Sequence, residues 1–391
     1  MEALSMSKKY SKKISKHITA ATIYYLATII VVTKLILAYS ELIVLPEIVN
    51  DGLNYIFIAL MGIKIVLSSG TKIKKQYIII LLIAIISLYS SIIANNYFIL
   101  MSTLGVAALK GMNVRQIVKV AYATKVFWLS IHFICYLFAQ LLIPSIIHYS
   151  VIDGIVRGRI FLSQPNTCAM LFVWAALEYL YLKFEKIKFY EFAVSLIITG
   201  IVFIITDSKT SMIVYLLFWI LFAIKENNLV KKIILFFSKY GYILLTVFCV
   251  TFTVLYNVLP IAKIVNTMLT GRLAGSAKAY SLYGFTLMGQ YLDLENNAEW
   301  DSVYGVERIW LENSYTAIFI NYGIIYGIVI AIALFIAAKH LSVKAQIFVC
   351  LMLVYGISES YIINIYLCFP LLLVADVFIN RKKFRKIGEN K

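Results

Sequence analysis

The chain has 391 residues, of which 62% are hydrophobic and only 14% charged, against roughly 25% charged in an average soluble domain. That balance excludes a water-soluble globular body, because apolar runs of the roughly 20 residues that cross hydrocarbon recur along nearly the whole length. A net charge of +17 raises the question of a nucleic-acid partner, but the basic residues sit in short segments between apolar runs, where topology and anionic headgroups account for them, so no nucleic acid is expected.

Residues 1–17 form a basic tail carrying Lys8, Lys9, Lys12, Lys13 and Lys16. The run from Ile18 to Tyr39 exceeds the roughly 7–15 residues of a signal-peptide core and ends without a small-residue cleavage site, so it reads as a first span. Polar punctuation then divides the chain into apolar runs at 18–39, 52–69, 77–94, 97–109, 120–143, 165–182, 190–206, 211–224, 240–259, 314–338, 345–362 and 363–379. The expected fold class is all-α: a polytopic transmembrane helical bundle of about 12 spans (10–12, since the fourth and eighth are short), with one membrane domain over 18–379 and a second basic tail at 380–391. The five cysteines lie in or beside apolar runs without metal-ligand spacing, and read as packing residues.

Orientation follows from Lys and Arg, which are retained on the cytoplasmic side. Of the 36, 26 fall on the side of the N-terminus and seven on the other: Arg157, Arg159, Lys209, Lys263, Arg272, Lys278 and Arg308. Both termini are expected in the cytoplasm. Lys34, Lys64 and Lys125 lie inside spans near an end, where snorkelling to the interface is the expected behaviour.

Two long external loops are predicted, 144–163 and 260–312, the latter between spans nine and ten. External segments should be poor in Lys and Arg, yet the first holds Arg157-Gly158-Arg159, the second Gly271-Arg272 and Arg308, and the turn between spans seven and eight holds Asp207-Ser208-Lys209-Thr210. One reading is convergence on an anionic group, for which the planar fork of Arg suits phosphate. The other is ordinary ion pairing with acids of the same face such as Asp153, Asp207, Glu307 and Glu312, which would contribute little. Ser276–Leu292 places Tyr280, Tyr283, Leu287 and Tyr291 at helical spacing, as expected of an interfacial helix or of one covering the bundle. His148 reads as a solvated loop residue.

Four groups of residues occur in order: Arg157-Gly158-Arg159-Ile160-Phe161 with Gln164-Pro165-Asn166; Thr206-Asp207-Ser208-Lys209-Thr210-Ser211; Gly271-Arg272 with Leu287-Met288-Gly289; and Glu312-Asn313-Ser314-Tyr315 with Asn321-Tyr322-Gly323-Ile324-Ile325-Tyr326-Gly327. Together they resemble the O-antigen polymerase and ligase superfamily of membrane glycosyltransferases, which includes Wzy-type polymerases. The chain departs from the family's His-Pro-Asn at Gln164, from its Ser-Arg-Thr at Lys209, and from the ligase branch at Glu312, where that branch has histidine; the last departure points toward a polymerase.

The resemblance implies transfer of an oligosaccharide from an undecaprenyl-diphosphate donor to a sugar hydroxyl outside the membrane, without a metal or other cofactor. Fixed cations must then meet the negative charge that develops on the diphosphate. Arg157, Arg159, Lys209 and Arg272 are the available set, with Arg308 beside them. Glu312 is the expected base, the bland alternative being a carboxylate at a helix start. Asn166 and Asn313 are candidates for sugar or phosphate binding and equally for helix caps. Glu359, in a span near its outer end, is a candidate partner of an external arginine or of the acceptor. Membrane lipids, a chain-length regulator and a flippase are the partners implied, in a bacterial cell membrane. Two alternatives stay open: a lipid-linked oligosaccharide flippase or other transporter, which would call for polar sites at mid-membrane depth, and an O-antigen-type ligase.

Overall fold

A bilayer reverses the usual pattern of an amphipathic helix, because lipid tails accept apolar side chains while polar ones must find partners inside the protein. The helix over Phe189–Thr206 shows this reversal: Glu191, Ser195, Thr199, Val202 and Thr206, spaced three or four apart, are buried, while Val194, Ile197, Ile198, Ile201 and Ile204 are exposed. Over Asn228–Val254, Ser238, Gly241, Thr246, Cys249 and Thr253 face inward, with Ile233, Phe236, Leu244 and Val247 outward. These are helices of a membrane protein.

The computed structural model describes residues 2–68, 75–152, 155–292 and 311–380. Asp153, Glu307, Arg308 and the basic residues of 381–391 lie outside the described residues. Among those described, six helices are long and apolar enough to cross a membrane: Thr19–Leu37, Glu47–Ser68, Val114–Leu142, Pro165–Lys186, Phe189–Thr206 and Asn228–Val254. Six shorter apolar helices, of 10–17 residues, cover Ile79–Ile93, Phe98–Ala107, Lys209–Ala223, Ile324–His340, Val343–Tyr355 and Pro370–Ile379.

The chain divides into two units, one of residues 1–75 and 104–215, the other of 76–103 and 216–391. In the first, α1 (Glu2–Leu37) and α2 (Glu47–Ser68) pack together, and α1 also packs on α5 (Val114–Leu142), which is followed by α6 (Pro165–Lys183) and α7 (Phe189–Thr206). Helix α1 begins at Glu2, within the predicted basic tail. Between α5 and α6 the predicted loop holds an antiparallel ribbon of β1 (Tyr149–Ile152) and β2 (Ile155–Gly158), in which Ser150 faces Arg157, a small addition to a mostly helical chain.

In the second unit, α3 (Lys75–Ile93) leads into α4 (Phe98–Ala107), and α9 (Asn228–Val254) packs against α11 (Arg272–Tyr283), α13 (Ile324–Ala337) and α14 (Val343–Tyr355). Between units in sequence lies α8 (Lys209–Ala223); α10 (Pro260–Met268) precedes α11, and α15 (Pro370–Ile379) closes the described chain. The ninth predicted span is longer than expected: α9 starts at Asn228 behind the cap Asn227, whose side chain accepts from the amides of Leu229 and Val230, so Lys231, Lys232 and Lys239 lie on the helix and not in a loop. The predicted helix over 276–292 stops at Tyr283, where Gly284 turns the chain out with φ +66°; Leu287 and Tyr291 are beyond it.

The tenth predicted span is broken. A short α12 (Ser314–Ala317) passes into a π turn over Ile318–Tyr322, and Gly323, at φ +98°, separates it from α13. The break is filled by the segment after α11: Ile324 N donates to Thr286 O at 2.9 Å and Gln290 N to Asn321 O at 3.1 Å. A Cβ on Gly323 would lie 2.4 Å from Leu287 O, and one on Gly289 2.6 Å from Asn321 O. Two glycines of separate motifs thus let two backbones meet, and π turns of this kind recur at functional sites.

Candidate functional site

Two of the cations expected on the external side, Arg157 and Arg159, lie in β2 and just after it. Arg157 donates from Nε to Thr206 O at 2.7 Å, and from Nη2 to Asn166 Oδ1 at 2.7 Å and to Asp207 O at 3.3 Å. Helix α7 ends with Asp207 in the left-handed conformation, φ +45°, leaving terminal carbonyls that need donors; the guanidinium supplies them and matches the negative end of the helix dipole. The same fork holds Asn166 in the first turn of α6. Gly158 is required by close approach, since a Cβ there would meet Ile205 Cγ2 at 2.6 Å.

Arg159 is held differently. Its Nη1 pairs with Glu41 Oε1 at 2.9 Å, and His148 Nδ1 lies 3.5 Å from the other oxygen of that carboxylate. Glu41 is brought there by main-chain bonds: Glu41 N to Phe161 O at 2.9 Å and Ser163 N to Tyr39 O at 2.7 Å. Between them the chain turns tightly, Leu162 N reaching Arg159 O at 2.9 Å with Ile160 at φ +51° and Phe161 at +55°. This is a type I′ arrangement, normally given to Gly and Asn. A buried β-branched residue in it is a true outlier, and such strain persists where surrounding structure enforces it, commonly at functional sites. Lys209 is exposed at the start of α8, the helix end where a cation is least favoured.

The second unit holds the carboxylates. Arg272, at the start of α11 behind Gly271 (φ +85°), is 8% exposed. Its Nε lies 3.2 Å from Glu312 Oε2 and its Nη2 3.4 Å from Glu359 Oε1. Ser358 O accepts from Nε at 2.6 Å, and Thr270 Oγ1 accepts from Nη1. One guanidinium between two carboxylates leaves the cluster formally negative. The two acids are unequal: the Glu359 side chain is 3% exposed and the Glu312 side chain 24%, so Glu312 is the more accessible. Glu359 is not in a span helix, because α14 ends at Tyr355; the backbone carbonyl of Glu359 accepts from the Ser314 hydroxyl.

Asn313 is buried and committed to the protein. Its Oδ1 caps α12 through Tyr315 N and Thr316 N at 3.0 and 3.2 Å, and its Nδ2 donates to Ile357 O at 2.9 Å. The candidate residues therefore form two groups: Arg157, Arg159, Asn166 and Lys209 with Glu41 and Asp207 in one unit, Arg272, Glu312, Asn313 and Glu359 in the other. Glu41, in the short connection after α1, is the member that sequence reasoning passed over. Its signal was weak, a lone acid beside the end of an apolar run.

Snorkelling fails for the lysines inside helices. Lys34, Lys64 and Lys125 are buried. Lys64 Nζ donates to Ser68 Oγ at 2.6 Å and to Lys110 O at 3.0 Å, while Lys125 Nζ is 2.6 Å from Glu178 Oε1, both side chains being 0% exposed. Lys125 thus finds its partner on a neighbouring helix, and Glu178 is the acid not foreseen. Among the described residues no group of three or more His, Cys, Asp or Glu side chains is placed to hold a metal ion. No family model matches the chain, and the comparisons with curated proteins and with solved structures gave no match.

Proposed function

We propose that the chain is a polysaccharide polymerase of the outer membrane face, transferring undecaprenyl-diphosphate-linked oligosaccharide units onto a growing capsular, exopolysaccharide or O-antigen-like chain. The observation that carries the reading is the ion pair of Arg272 with Glu312, which joins the third motif to the fourth across 40 positions of sequence. It is supported by the way Arg157 and Asn166 of the first motif meet Thr206 and Asp207 of the second.

In this reading the acceptor hydroxyl oxygen attacks the anomeric carbon of the donor. The bond from that carbon to the diphosphate oxygen breaks, and the hydroxyl proton passes to the Glu312 carboxylate, a general base needing hydrogen-bond reach of that proton. The departing diphosphate carries the bonding electrons, and a fixed cation must supply positive charge for it. Arg272 orients the Glu312 carboxylate. Twelve spans with both termini cytoplasmic complete the proposal, so that the sugar-bearing lipid is met outside, with a flippase and a chain-length regulator as pathway partners. A ligase would share this chemistry and differ in acceptor.

The second reading, a lipid-linked oligosaccharide carrier, draws on the buried Lys125–Glu178 pair, since ionisable groups inside membrane helices mark transport pathways by default. Reconstitution into liposomes with a lipid-linked repeat unit in the outer leaflet separates the two. Chain lengthening is the expected result; unchanged short product with movement of the lipid between leaflets would remove the polymerase reading.

A further inference from the structure

The second unit contains a cavity of about 470 Å³, within the roughly 300–1,000 Å³ of small-molecule sites. Its walls come from the turn after α3, the segments at 291–292 and 311, the π turn, and the stretch 360–364. Four amides line it, Asn95, Asn96, Asn321 and Asn364, together with the rings of Tyr291 and Tyr361. No Lys, Arg, His, Asp or Glu is among its described lining residues.

The amides are set up as a recognition surface. Asn96 Oδ1 is fixed by Phe98 N at 3.0 Å, and Asn364 Oδ1 by Tyr366 N at 3.1 Å and Leu367 N at 3.2 Å, which holds each side chain while its amide nitrogen remains a donor. Asn321 Oδ1 is shielded from solvent and has no hydrogen-bond partner among the described residues. A desolvated acceptor left in that state is unfavourable, and a donor from a ligand would relieve it. Asn95 stands exposed at the rim in the left-handed conformation, φ +48°, and Tyr291 is 56% exposed, an apolar face with a polar tip. Fixed donors, an unfilled acceptor and aromatic faces, with no charged side chain among the described lining residues, together match an uncharged polyhydroxylated ring.

We propose that this cavity binds an uncharged saccharide and, resting on the polymerase reading, that it is the subsite for the acceptor sugar. Its connection to the chemistry is covalent: Leu311 and Ser360 line the cavity, and their chain neighbours Glu312 and Glu359 are the two carboxylates on Arg272. A sugar seated among these amides would be held by residues whose backbone also fixes the base.

The test uses the full chain in nanodiscs and, as probe, neutral fragments of two to four sugars released by partial hydrolysis of the host's own surface polysaccharide. Binding is measured by ligand-observed saturation-transfer NMR and by calorimetry for the unaltered protein and for Asn321→Leu, Ser360→Val and Asn95→Gly. The last replaces an exposed residue by one suited to its backbone, so it reports on binding even if a buried change impairs folding. Expected are affinity losses of tenfold or more for Asn321→Leu and several-fold for Asn95→Gly, with no competition by inorganic pyrophosphate. Absence of binding by the unaltered protein, or equal affinity in Asn95→Gly and in every folded variant, overturns the proposal. The polymerase reading fails separately: saccharide binding that the variants lose, in a protein that never lengthens a chain, keeps the site and removes the enzyme. Chain lengthening with unchanged acceptor KM in the variants keeps the enzyme and removes the site.

Discussion

Arg157 Nη2 donates to Asn166 Oδ1 at 2.7 Å while Nε of the same guanidinium donates to Thr206 O, so one side chain ties the first turn of α6 to the last turn of α7. A hydrogen bond involving a charged group contributes about 1.5–3 kcal/mol. Arg157→Lys keeps the charge but cannot span both partners. It is expected to lower the melting temperature in detergent and to reduce polymer per molecule of protein at least tenfold. A variant with unchanged melting behaviour would show that the bridge contributes nothing to the fold.

The two acids on Arg272 should respond differently to amide substitution. Glu359 is the buried partner, and removing one member of a buried pair costs about 3–5 kcal/mol, so Glu359→Gln is expected to reduce the folded protein recovered from membranes. Glu312 is more exposed, and Arg272 keeps Glu359 in its absence. Glu312→Gln should leave the amount and melting of the protein near normal while polymer falls a hundredfold or more. Measuring both quantities on both variants checks the division; wild-type polymer from Glu312→Gln would remove Glu312 as the base.

Much of this arrangement is legible in the sequence, and the missing parts share a cause. Period and length located the helices, because a bilayer imposes both on any crossing segment. The charge bias singled out Arg157, Arg159, Lys209 and Arg272 because their positions oppose it. What the sequence does not carry is pairing between distant segments: that Glu41 meets Arg159, or that Glu178 meets Lys125. Nor does composition reveal that Ile318–Tyr322 forms a π turn, since the break depends on a segment over 30 positions earlier entering at Gly323.

Glycine substitutions test that entry. Gly323→Ala combines a left-handed φ with a Cβ 2.4 Å from a backbone oxygen, neither of which a side-chain shift relieves. It is expected to destabilise by more than about 3 kcal/mol, beyond the usual 1–3 kcal/mol of overpacking. Gly158→Ala meets a side-chain methyl of Ile205 and should fall within that range, with partial recovery on adding Ile205→Ala. Melting curves of the three proteins rank the effects, and equal losses in both single variants would contradict the ranking.

For the buried pair the expectation is non-additive. Lys125→Met alone strands the Glu178 carboxylate among apolar helices and should cost about 3–5 kcal/mol, whereas the double variant Lys125→Met with Glu178→Leu should lie near the original stability. A double-mutant cycle read by thermal unfolding decides it. If the double variant is instead stable but inactive in lipid movement and in polymer formation alike, the pair serves function.

The same pair bears on how the protein is made. A charged residue near the centre of a helix penalises insertion by about 2.5–3.5 kcal/mol when it enters alone. Lys125 lies on α5 and Glu178 on the next long helix, α6, so neither helix carries a counter-charge of its own at that level. Released into lipid as a hairpin, the two neutralise each other before either is committed. Biogenesis therefore favours delayed entry of α5 until α6 has left the ribosome, with the β1–β2 ribbon joining the two while they wait.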